Sequence, residues 1–284
     1  DICILCGKGN NGGDGYTVAK ILRERGLTPK VYDVSPSEGS QLREHAKALY
    51  QGKIQDVHSV QDLHDISDFQ LCIDAIFGIG IDRPLEGLIL DLVEYINEHA
   101  VHIMSIDIPS GMYTEEQTIH TTIKAQETCT FTSPKRSFFS STNEDRLGLW
   151  VTRDLDLVPK YHEQVDCSQY LITKRMVKPL VKPRIRFSHK GTYGHCLLIG
   201  SSVGMAGALA LAGRSALRMG AGLVTLGSVE SNRIALQSSL PEAMFKSLGE
   251  QAVTEINSKF DNFDVIGIGP GLGREDKIKS AIQG

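Results

Sequence analysis

Three short motifs hold the residues of this sequence that are most capable of chemistry. The first is a glycine-rich turn, Gly7-Lys8-Gly9-Asn10-Asn11-Gly12-Gly13-Asp14-Gly15. Glycines let the backbone turn tightly and present N–H groups at the start of a helix, which favours binding of a phosphate or another anion. The spacing matches neither a Walker loop nor a dinucleotide fingerprint. A purely structural turn is the alternative, although two asparagines and an aspartate exceed what a turn needs.

The other two motifs place a carboxylate in or directly after an apolar run. Asp74 lies within the run Leu71–Phe77, and Asp107 ends the run that begins at Ile103 and precedes Ser110. A buried carboxylate is costly unless it is paired, bound to a metal or catalytic. Taken alone, Asp107 is also explained as a cap of the following turn. The three motifs together predict one polar crevice, which contains Asn10, Asn11, Asp14, Asp74, Asp107 and Ser110.

Alternating strands and helices must position these motifs. Apolar runs predict strands at Ile2–Cys6, Lys30–Val34, Leu71–Phe77 and Val101–Ile106, and helical periodicity predicts helices at Tyr16–Arg25, Gln41–Tyr50 and Leu88–Glu98. This alternation is typical of a doubly wound, mostly parallel sheet between two layers of helices. Ligands of such sheets bind at the carboxyl ends of the strands, where all three motifs lie. Residues 1–166 are therefore predicted to form a three-layer α/β/α domain.

A second α/β domain is predicted at residues 167–284. Its leading segment, 174–190, has seven Lys or Arg residues and no acid. We interpret this segment as a solvated start of the domain, with binding of a polyanion as the alternative. The domain then continues with strands at Cys196–Ile199, Leu223–Leu226 and Asp264–Ile268, a helix at Ala206–Met219, and glycine-rich turns at Gly200–Gly207 and Gly267–Gly273. Such turns suit the close approach of phosphates.

Length and composition narrow the class of function. The chain has 284 residues, and 30 basic against 34 acidic residues give a net charge of −4, so nucleic acid is not an expected partner. The longest nearly apolar stretch, Ala206–Val224, contains Arg214 and Arg218 and is a poor membrane span. The six cysteines show no paired metal spacing, and we expect them to be reduced in a cytoplasmic protein.

The three motifs in this order resemble the NAD(P)H-hydrate epimerase domain, and the resemblance covers residues 1 to about 155. The second half resembles the ADP/ATP-dependent NAD(P)H-hydrate dehydratase domain, which has a ribokinase-like fold. The segments that carry this second resemblance are Ser188–His195, Gly200–Gly207, Arg218–Val224, Pro241-Glu242 and Gly267–Gly273. The whole chain thus resembles the bifunctional NAD(P)H-hydrate repair enzymes.

The resemblance implies a substrate, two reactions and two cofactors. The substrate is NADH or NADPH that has been damaged by addition of water to its reduced ring. The first domain interconverts the R and S hydrates, and the second uses ADP or ATP to phosphorylate the hydroxyl of the S hydrate and eliminate phosphate. A potassium ion is implied near the substrate of the first domain. We further expect a homo-oligomer.

The resemblance also implies roles for particular residues. In the first domain the substrate-binding residues are Asn10, Asn11, Gly12, Gly13, Asp14, Gly78, Ile79, Gly80, Ile81, Asp82, Arg83, Pro84 and Asp107. The potassium ligands are Asn11, Asp74 and Ser110, which are oxygen donors suited to an alkali cation. Asp107 is the remaining carboxylate and is predicted to be the acid/base group. In the second domain, the implied substrate contacts are Ala206, Ala208 and Gly271.

The sequence departs from the second family at its end. A ribokinase-like domain normally continues with further strands, which supply the nucleotide pocket and a catalytic aspartate. We therefore expect the second active site to be incomplete at Gly284 and the native protein to continue. Two other classes of function stay open at this point: a nucleotide-binding module without catalysis, and a ribokinase-like kinase of a small molecule with an accessory domain.

Overall fold

The computed structural model describes residues 1–115, 117–155, 169–254, 256 and 260–273. The chain forms two compact units, Asp1–Ser168 and Gln169–Gly284. Both are built on parallel sheets with helices, so the predicted α/β class is confirmed. The predicted boundary between residues 166 and 167 lies outside the described residues and stays a prediction.

A seven-stranded parallel sheet forms the centre of the first unit. Its strands are β1 Ile2–Cys6, β2 Lys30–Asp33, β3 Ile54–Asp56, β4 Leu71–Ala75, β5 Ile103–Ile106, β6 Glu127–Phe131 and β7 Leu149–Arg153. They lie in the order β3-β2-β1-β4-β5-β6-β7, and each adjacent pair is parallel. The order changes direction between β1 and β4. The loops that leave these two strands therefore diverge, and a crevice opens between them.

Helices cover both faces of this sheet. They are α1 Asn10–Glu24, α2 Gln41–Leu49, α3 Gly87–His99 and the short α4 Glu144–Leu147. Alternate residues of β1 point to opposite faces. Ile4 and Cys6 pack in the cluster that contains Tyr16 of α1, whereas Leu5 packs in the cluster that contains Leu92 of α3. Because both faces are covered, the inner strands are apolar nearly throughout, and the predicted three layers are confirmed.

The first helix begins earlier than predicted. The sequence predicts a start at Tyr16, but α1 begins at Asn10, inside the glycine-rich motif. The reason is tertiary packing: a Cβ at Gly15 would lie 2.7 Å from the Cβ of Ala75 and 2.8 Å from the Sγ of Cys6. The glycine lets α1 lie directly against the sheet, and this contact outweighs the low helix propensity of glycine.

Other differences concern strand ends and strands with polar residues. β2 and β4 end at Asp33 and Ala75, slightly before their predicted ends. β3, β6 and β7 are not among the predicted strands. β6 has the sequence Glu-Thr-Cys-Thr-Phe, and β7 alternates between exposed and half-buried residues. Neither strand is the continuous apolar run by which buried parallel strands are recognised.

The second unit contains a four-stranded parallel sheet of order β10-β9-β8-β11. Its elements are α5 Lys174–Val177, β8 His195–Ile199, α6 Gly207–Met219, β9 Leu223–Ser228, α7 Arg233–Ser239, β10 Met244–Ser247 and β11 Val265–Ile268. The predicted strands and helix of this unit are found with small shifts at their ends, and β10 is additional. Side chains 171–187 are exposed to solvent. Within the described residues, no helix has the length and apolarity needed to cross a membrane.

Candidate active site

A cavity of about 1150 Å³ opens at the carboxyl ends of β1, β2, β4 and β5. Of the predicted substrate-binding residues, its wall contains Asn10, Asn11, Asp14, Gly78, Ile79, Gly80, Ile81, Asp82, Arg83, Pro84 and Asp107. Gly12 and Gly13 are buried in the first turn of α1 and do not line the cavity. Pockets for drug-sized ligands have volumes of roughly 300–1000 Å³. This cavity is therefore large enough for a ligand as long as a dinucleotide.

Asp107 directly follows β5 and lines this cavity. Its backbone has a φ of +67°, which is uncommon outside glycine. Its Oδ1 atom accepts hydrogen bonds from Thr130 Oγ1 at 3.1 Å, from the N–H of Phe131 at 3.1 Å and from Lys135 Nζ at 2.7 Å. In the part of the chain that the structure describes, Oδ2 accepts none. The carboxylate thus bonds to β6 and beyond rather than to the turn that follows it, which disfavours a mere capping role.

Asp14 is a second carboxylate at the same wall. Its partial burial and, next, the negative charge of Asp107 raise the pKa of Asp14 above its ordinary value. Asp107 has an ammonium partner. The wall thus carries two carboxyl groups, and a carboxyl group is able to exchange a proton with a ligand.

Asp74 is fully buried at the end of β4. Its carboxylate accepts four hydrogen bonds, from Ser110 Oγ at 2.5 Å, Ser105 Oγ at 2.7 Å, the N–H of Ser110 at 2.9 Å and the N–H of Ile76 at 3.2 Å. Burial raises the pKa of Asp74 in spite of these donors. Among the described residues, no Lys or Arg contacts it. The carboxylate is therefore hydrogen-bonded, but no positive charge from the described part of the chain compensates it.

Asn11 and Ser110 meet at the backbone of Phe77, beside Asp74. Asn11 Nδ2 donates to the carbonyl of Phe77 at 2.9 Å, and the N–H of Phe77 donates to Ser110 Oγ at 2.8 Å. Because Ser110 also bonds Asp74, the three predicted ligands form one connected cluster of oxygen-bearing groups. Hard cations prefer such oxygens. Within the described residues there is no group of three or more His, Cys, Asp or Glu side chains that could hold a metal ion.

A buried ion pair that the sequence did not predict supports the glycine-rich turn. Asp33 ends β2 and Arg43 lies on α2; their side chains are 0% and 1% exposed, and Asp33 Oδ2 lies 2.6 Å from Arg43 Nη2. The same oxygen accepts from Lys47 Nζ at 2.6 Å and Tyr16 Oη at 2.8 Å. Arg43 Nε also donates to the carbonyl of Gly7 at 3.2 Å. This network fixes α2 to the turn that precedes α1.

Several residues at the site were not predicted, and they share a position in the fold. Lys8 and Ser35 line the cavity, and Lys135 contacts Asp107. Each follows closely on the carboxyl end of a strand: β1, β2 and β6, respectively. A signal for them therefore existed, namely a polar residue directly after a strand of a parallel sheet. Lys135 was missed because β6 itself was not predicted.

In the second unit, two glycine-rich turns meet at the carboxyl ends of β8 and β11. The N–H of Ser201 donates to the carbonyl of Pro270 at 2.7 Å. A Cβ at Gly271 would lie only 3.5 Å from the Cα of Ser201. Ala206 immediately precedes α6, and Ala208 lies in its first turn. Gly271, Ala206 and Ala208, the predicted substrate contacts, thus lie at the same edge of the sheet.

Comparison with known proteins identifies two families in the chain. Residues 1–137 match the family described as YjeF-related protein N-terminus. Residues 196–284 match the family of NAD(P)H-hydrate dehydratase. A solved structure of ADP/ATP-dependent NAD(P)H-hydrate dehydratase from Bacillus subtilis, co-crystallised with ATP and Mg2+, is 32% identical. That match covers 39% of this chain and 40% of the other, with a TM-score of 0.35.

Curated relatives match almost the whole chain. The bifunctional NAD(P)H-hydrate repair enzyme Nnr of Coxiella burnetii is 31% identical over 287 residues, which cover 99% of this chain and 58% of the relative. The enzyme of the same name from Escherichia coli is 32% identical over 284 residues, with coverage of 99% and 54%. The chain thus spans little more than half the length of these relatives. Over nearly its whole length, the chain is thus similar to part of the bifunctional NAD(P)H-hydrate repair enzymes, and it contains matches to two families, one in each unit.

Proposed function

We propose that the first unit is an NAD(P)H-hydrate epimerase and that the second unit is part of an ADP- or ATP-dependent NAD(P)H-hydrate dehydratase. The substrates are the R and S hydrates of NADH and NADPH. The family matches at residues 1–137 and 196–284 support both assignments. The observation that carries the epimerase is Asp107, a carboxylate with one fixed oxygen at the wall of a dinucleotide-sized cavity.

The chemistry of epimerisation suits such a carboxylate. Inverting the hydroxylated ring carbon requires that its C–O bond break and form again on the other face of the ring. Asp107 exchanges a proton with the hydroxyl, which leaves and returns as water, or stabilises the positive charge that develops on the ring when this bond breaks. A positioned acid/base group typically contributes about 10²–10⁴-fold to a rate.

The rest of the cavity suits the two phosphates and the nucleoside of the substrate. The glycine-rich turn leads into the N-terminus of α1, where backbone N–H groups and the helix dipole favour negative charge. Lys8 and Arg83 add positive side chains to the wall. We assign the phosphates to this region and the segment Gly78–Pro84, which also lines the wall, to contacts with the nucleotide.

The proposal includes a potassium ion held by Asn11, Asp74 and Ser110. The fit rests on Asp74, a buried carboxylate that no Lys or Arg contacts among the described residues. Asn11, Ser110 and the carbonyl of Phe77 add neutral oxygens to this carboxylate. The bound ion would supply the missing positive charge and keep Asp74 ionised. The three side chains would then hold the loop at Phe77 against the end of β5.

For the second unit, we propose that Ala206, Ala208 and Gly271 contact the hydrated dinucleotide. ADP or ATP phosphorylates the hydroxyl, and loss of phosphate restores the reduced ring. This part of the proposal is supported by the family match and by the meeting of two glycine-rich turns at one edge of the sheet. Backbone N–H groups at such an edge favour phosphates.

We also propose that the protein is cytoplasmic and homo-oligomeric, with neither nucleic acid nor a membrane as a partner. The net charge of −4 disfavours nucleic acid as a partner. The six cysteines lack the paired spacing of a metal site, which fits reduced cysteines in the cytoplasm. Gel filtration with light scattering measures the oligomeric state directly, and a monomeric mass would contradict that part of the proposal.

The test of the epimerase is turnover of purified R and S hydrates by the wild-type chain and by Asp107→Asn. We expect the variant to bind substrate but to lose about 10²–10⁴-fold in kcat. Asp91→Asn, on the exposed face of α3, is the matched control and should retain activity. Binding without turnover by the wild type would indicate a non-catalytic nucleotide-binding module. Accumulation of a phosphorylated product would favour a ribokinase-like small-molecule kinase.

A further inference from the structure

The ammonium group of Lys135 is held in a fixed position beside Asp107. Its Nζ lies 2.7 Å from Asp107 Oδ1, and the two side chains are only 15% and 13% exposed. Nζ also donates to the carbonyls of Phe131 at 3.4 Å and Ser133 at 3.5 Å. An ammonium group has three protons, and each of them has an acceptor here. Lys135 therefore has a defined orientation, unlike most surface lysines.

The bonds at Asp107 are distributed unevenly between its two oxygens. Oδ1 accepts from Lys135, from Thr130 and from the N–H of Phe131. In the described part of the chain, Oδ2 has no donor, although Asp107 lines the cavity. Lys135 itself does not line the cavity. The lysine thus contacts the back of the carboxylate rather than the ligand space.

Charge gives Lys135 a second effect at this wall. Asp14 faces the same cavity, and the negative charge of Asp107 acts on it. Two carboxylates that share one wall repel each other, and a cation behind one of them offsets part of this repulsion. Asp33, a buried acid, also has cationic partners, but it does not line the cavity. Asp107 combines contact with the cavity and an ammonium partner that is only 15% exposed.

We propose that Lys135 is a positioning residue for the epimerisation, an inference that rests on the proposed function of the first unit. By fixing Oδ1 of Asp107, Lys135 directs Oδ2 toward the hydroxylated ring carbon. Its positive charge also offsets part of the repulsion between Asp14 and Asp107 at the same wall. Misplacement of a reacting group by about 1 Å costs on the order of 10²-fold in rate. Loss of Lys135 should therefore lower kcat rather than raise KM, because Lys135 does not touch the ligand space.

The experiment measures steady-state epimerisation by the full chain. The variants are Lys135→Met, Lys135→Arg, Asp107→Asn and the double variant of Lys135→Met with Asp107→Asn. Lys124→Met, at an exposed position elsewhere on the first unit, is the control for loss of a lysine. We expect Lys135→Met to lose about 10²-fold in kcat with KM changed less than about threefold. Lys135→Arg, which keeps the charge, should recover about tenfold of that loss.

The double variant distinguishes positioning from general support of the structure. If Lys135 acts only through Asp107, the double variant is no slower than Asp107→Asn alone. Multiplication of the two losses would overturn the inference, as would a kcat of Lys135→Met within about threefold of the wild type or a rise in KM alone. If Lys135→Met does not fold, Lys135→Gln replaces it: its amide carries no charge and has only two N–H donors for the three acceptors of Nζ, so a kcat within about threefold of the wild type would again overturn the inference.

The outcome also separates this inference from the proposed function. A folded wild-type chain without epimerase turnover would refute the function and this inference together. Turnover by the wild type that Lys135→Met and Lys135→Gln retain in full would refute only the role of Lys135.

Discussion

Replacing Arg43 by methionine tests whether the buried ion pair under the glycine-rich turn holds the first unit together. Arg43 is 1% exposed and contacts Asp33, which is 0% exposed. Methionine keeps an unbranched apolar stem but removes the guanidinium, whose carbon lies 5.5 Å from the centre of the Tyr16 ring. Asp33 then loses its Nη2 donor, and the carbonyl of Gly7 loses the donor Nε. The substitution thus disturbs both the end of β2 and the turn before α1.

The expected cost follows from the partners that stay. Removing one member of a buried ion pair typically costs about 3–5 kcal/mol, because the other charge is left buried. Here Lys47 and Tyr16 still contact Asp33, so we expect a loss near the lower limit, about 3 kcal/mol. Lys47→Met removes a cation that is 26% exposed and leaves Arg43 in place, and should cost about 1 kcal/mol.

Urea unfolding followed by tryptophan fluorescence measures this difference. The chain has a single tryptophan, Trp150, which lies on β7 and packs against Phe138 and Phe139, so its signal reports the first unit. The free energy of unfolding is obtained from the midpoint and the slope of the transition. If Arg43→Met costs less than about 1 kcal/mol, or no more than Lys47→Met, the assignment of a central structural role to this pair is wrong.

Three further predictions follow from individual residues. Burial alone would raise the pKa of Asp33, but its bonds to Lys47, Tyr16 and Arg43 outweigh this effect and lower the pKa. Ionised Asp33 therefore stabilises the fold above its unfolded pKa of about 4, and this stability is lost as the pH falls through the folded pKa. Unfolding measured at a series of pH values should show that the free-energy cost of Arg43→Met becomes smaller below about pH 4. Potassium at 100 times Kd should stabilise the fold by about 2.7 kcal/mol and so raise the melting temperature relative to choline, more at pH 8 than at pH 5 because burial raises the pKa of Asp74. In a thermal shift assay, Asp74→Asn should abolish this effect. Gly15→Ala should cost about 1–3 kcal/mol in the urea assay because its Cβ has no room against the sheet, whereas Gly9→Ala, with nothing within 4 Å, should change stability little.

The inner strands of the first sheet could be predicted from the sequence because helices cover both of their faces. β1 and β5 consist almost entirely of apolar residues, and such runs are visible without any knowledge of the partners. The crevice was predictable for a related reason. Parallel strands end at one edge, so polar residues that follow them must lie together. This topology alone predicts that Asp14 and Asp107 lie at the same edge of the sheet.

What could not be predicted depends on contacts between distant segments. The start of α1 at Asn10 depends on the close approach of Gly15 to Ala75, which is 60 residues away along the chain. The ion pair of Arg43 with Asp33 joins a helix to the end of a strand, and neither helical nor strand periodicity in the sequence predicts such a pair. Lys135 was missed for a different reason. β6 alternates polar and apolar residues, and without this strand there was no strand end after which to search.

Charge compensation explains why a cation is proposed at Asp74 and not at Asp33 or Asp107. Asp33 has Arg43 and Lys47 within 2.6 Å, and Asp107 has Lys135 at 2.7 Å. Asp74 is as deeply buried as Asp33, yet among the described residues its four donors are hydroxyl and backbone N–H groups, which carry no net charge. Burial raises the pKa of Asp74, so folding disfavours its ionised form. An exchangeable cation would offset this cost, and the same ion would hold the loop at Phe77 between the glycine-rich turn, to which we assign the phosphates, and Asp107, which we propose to act on the ring.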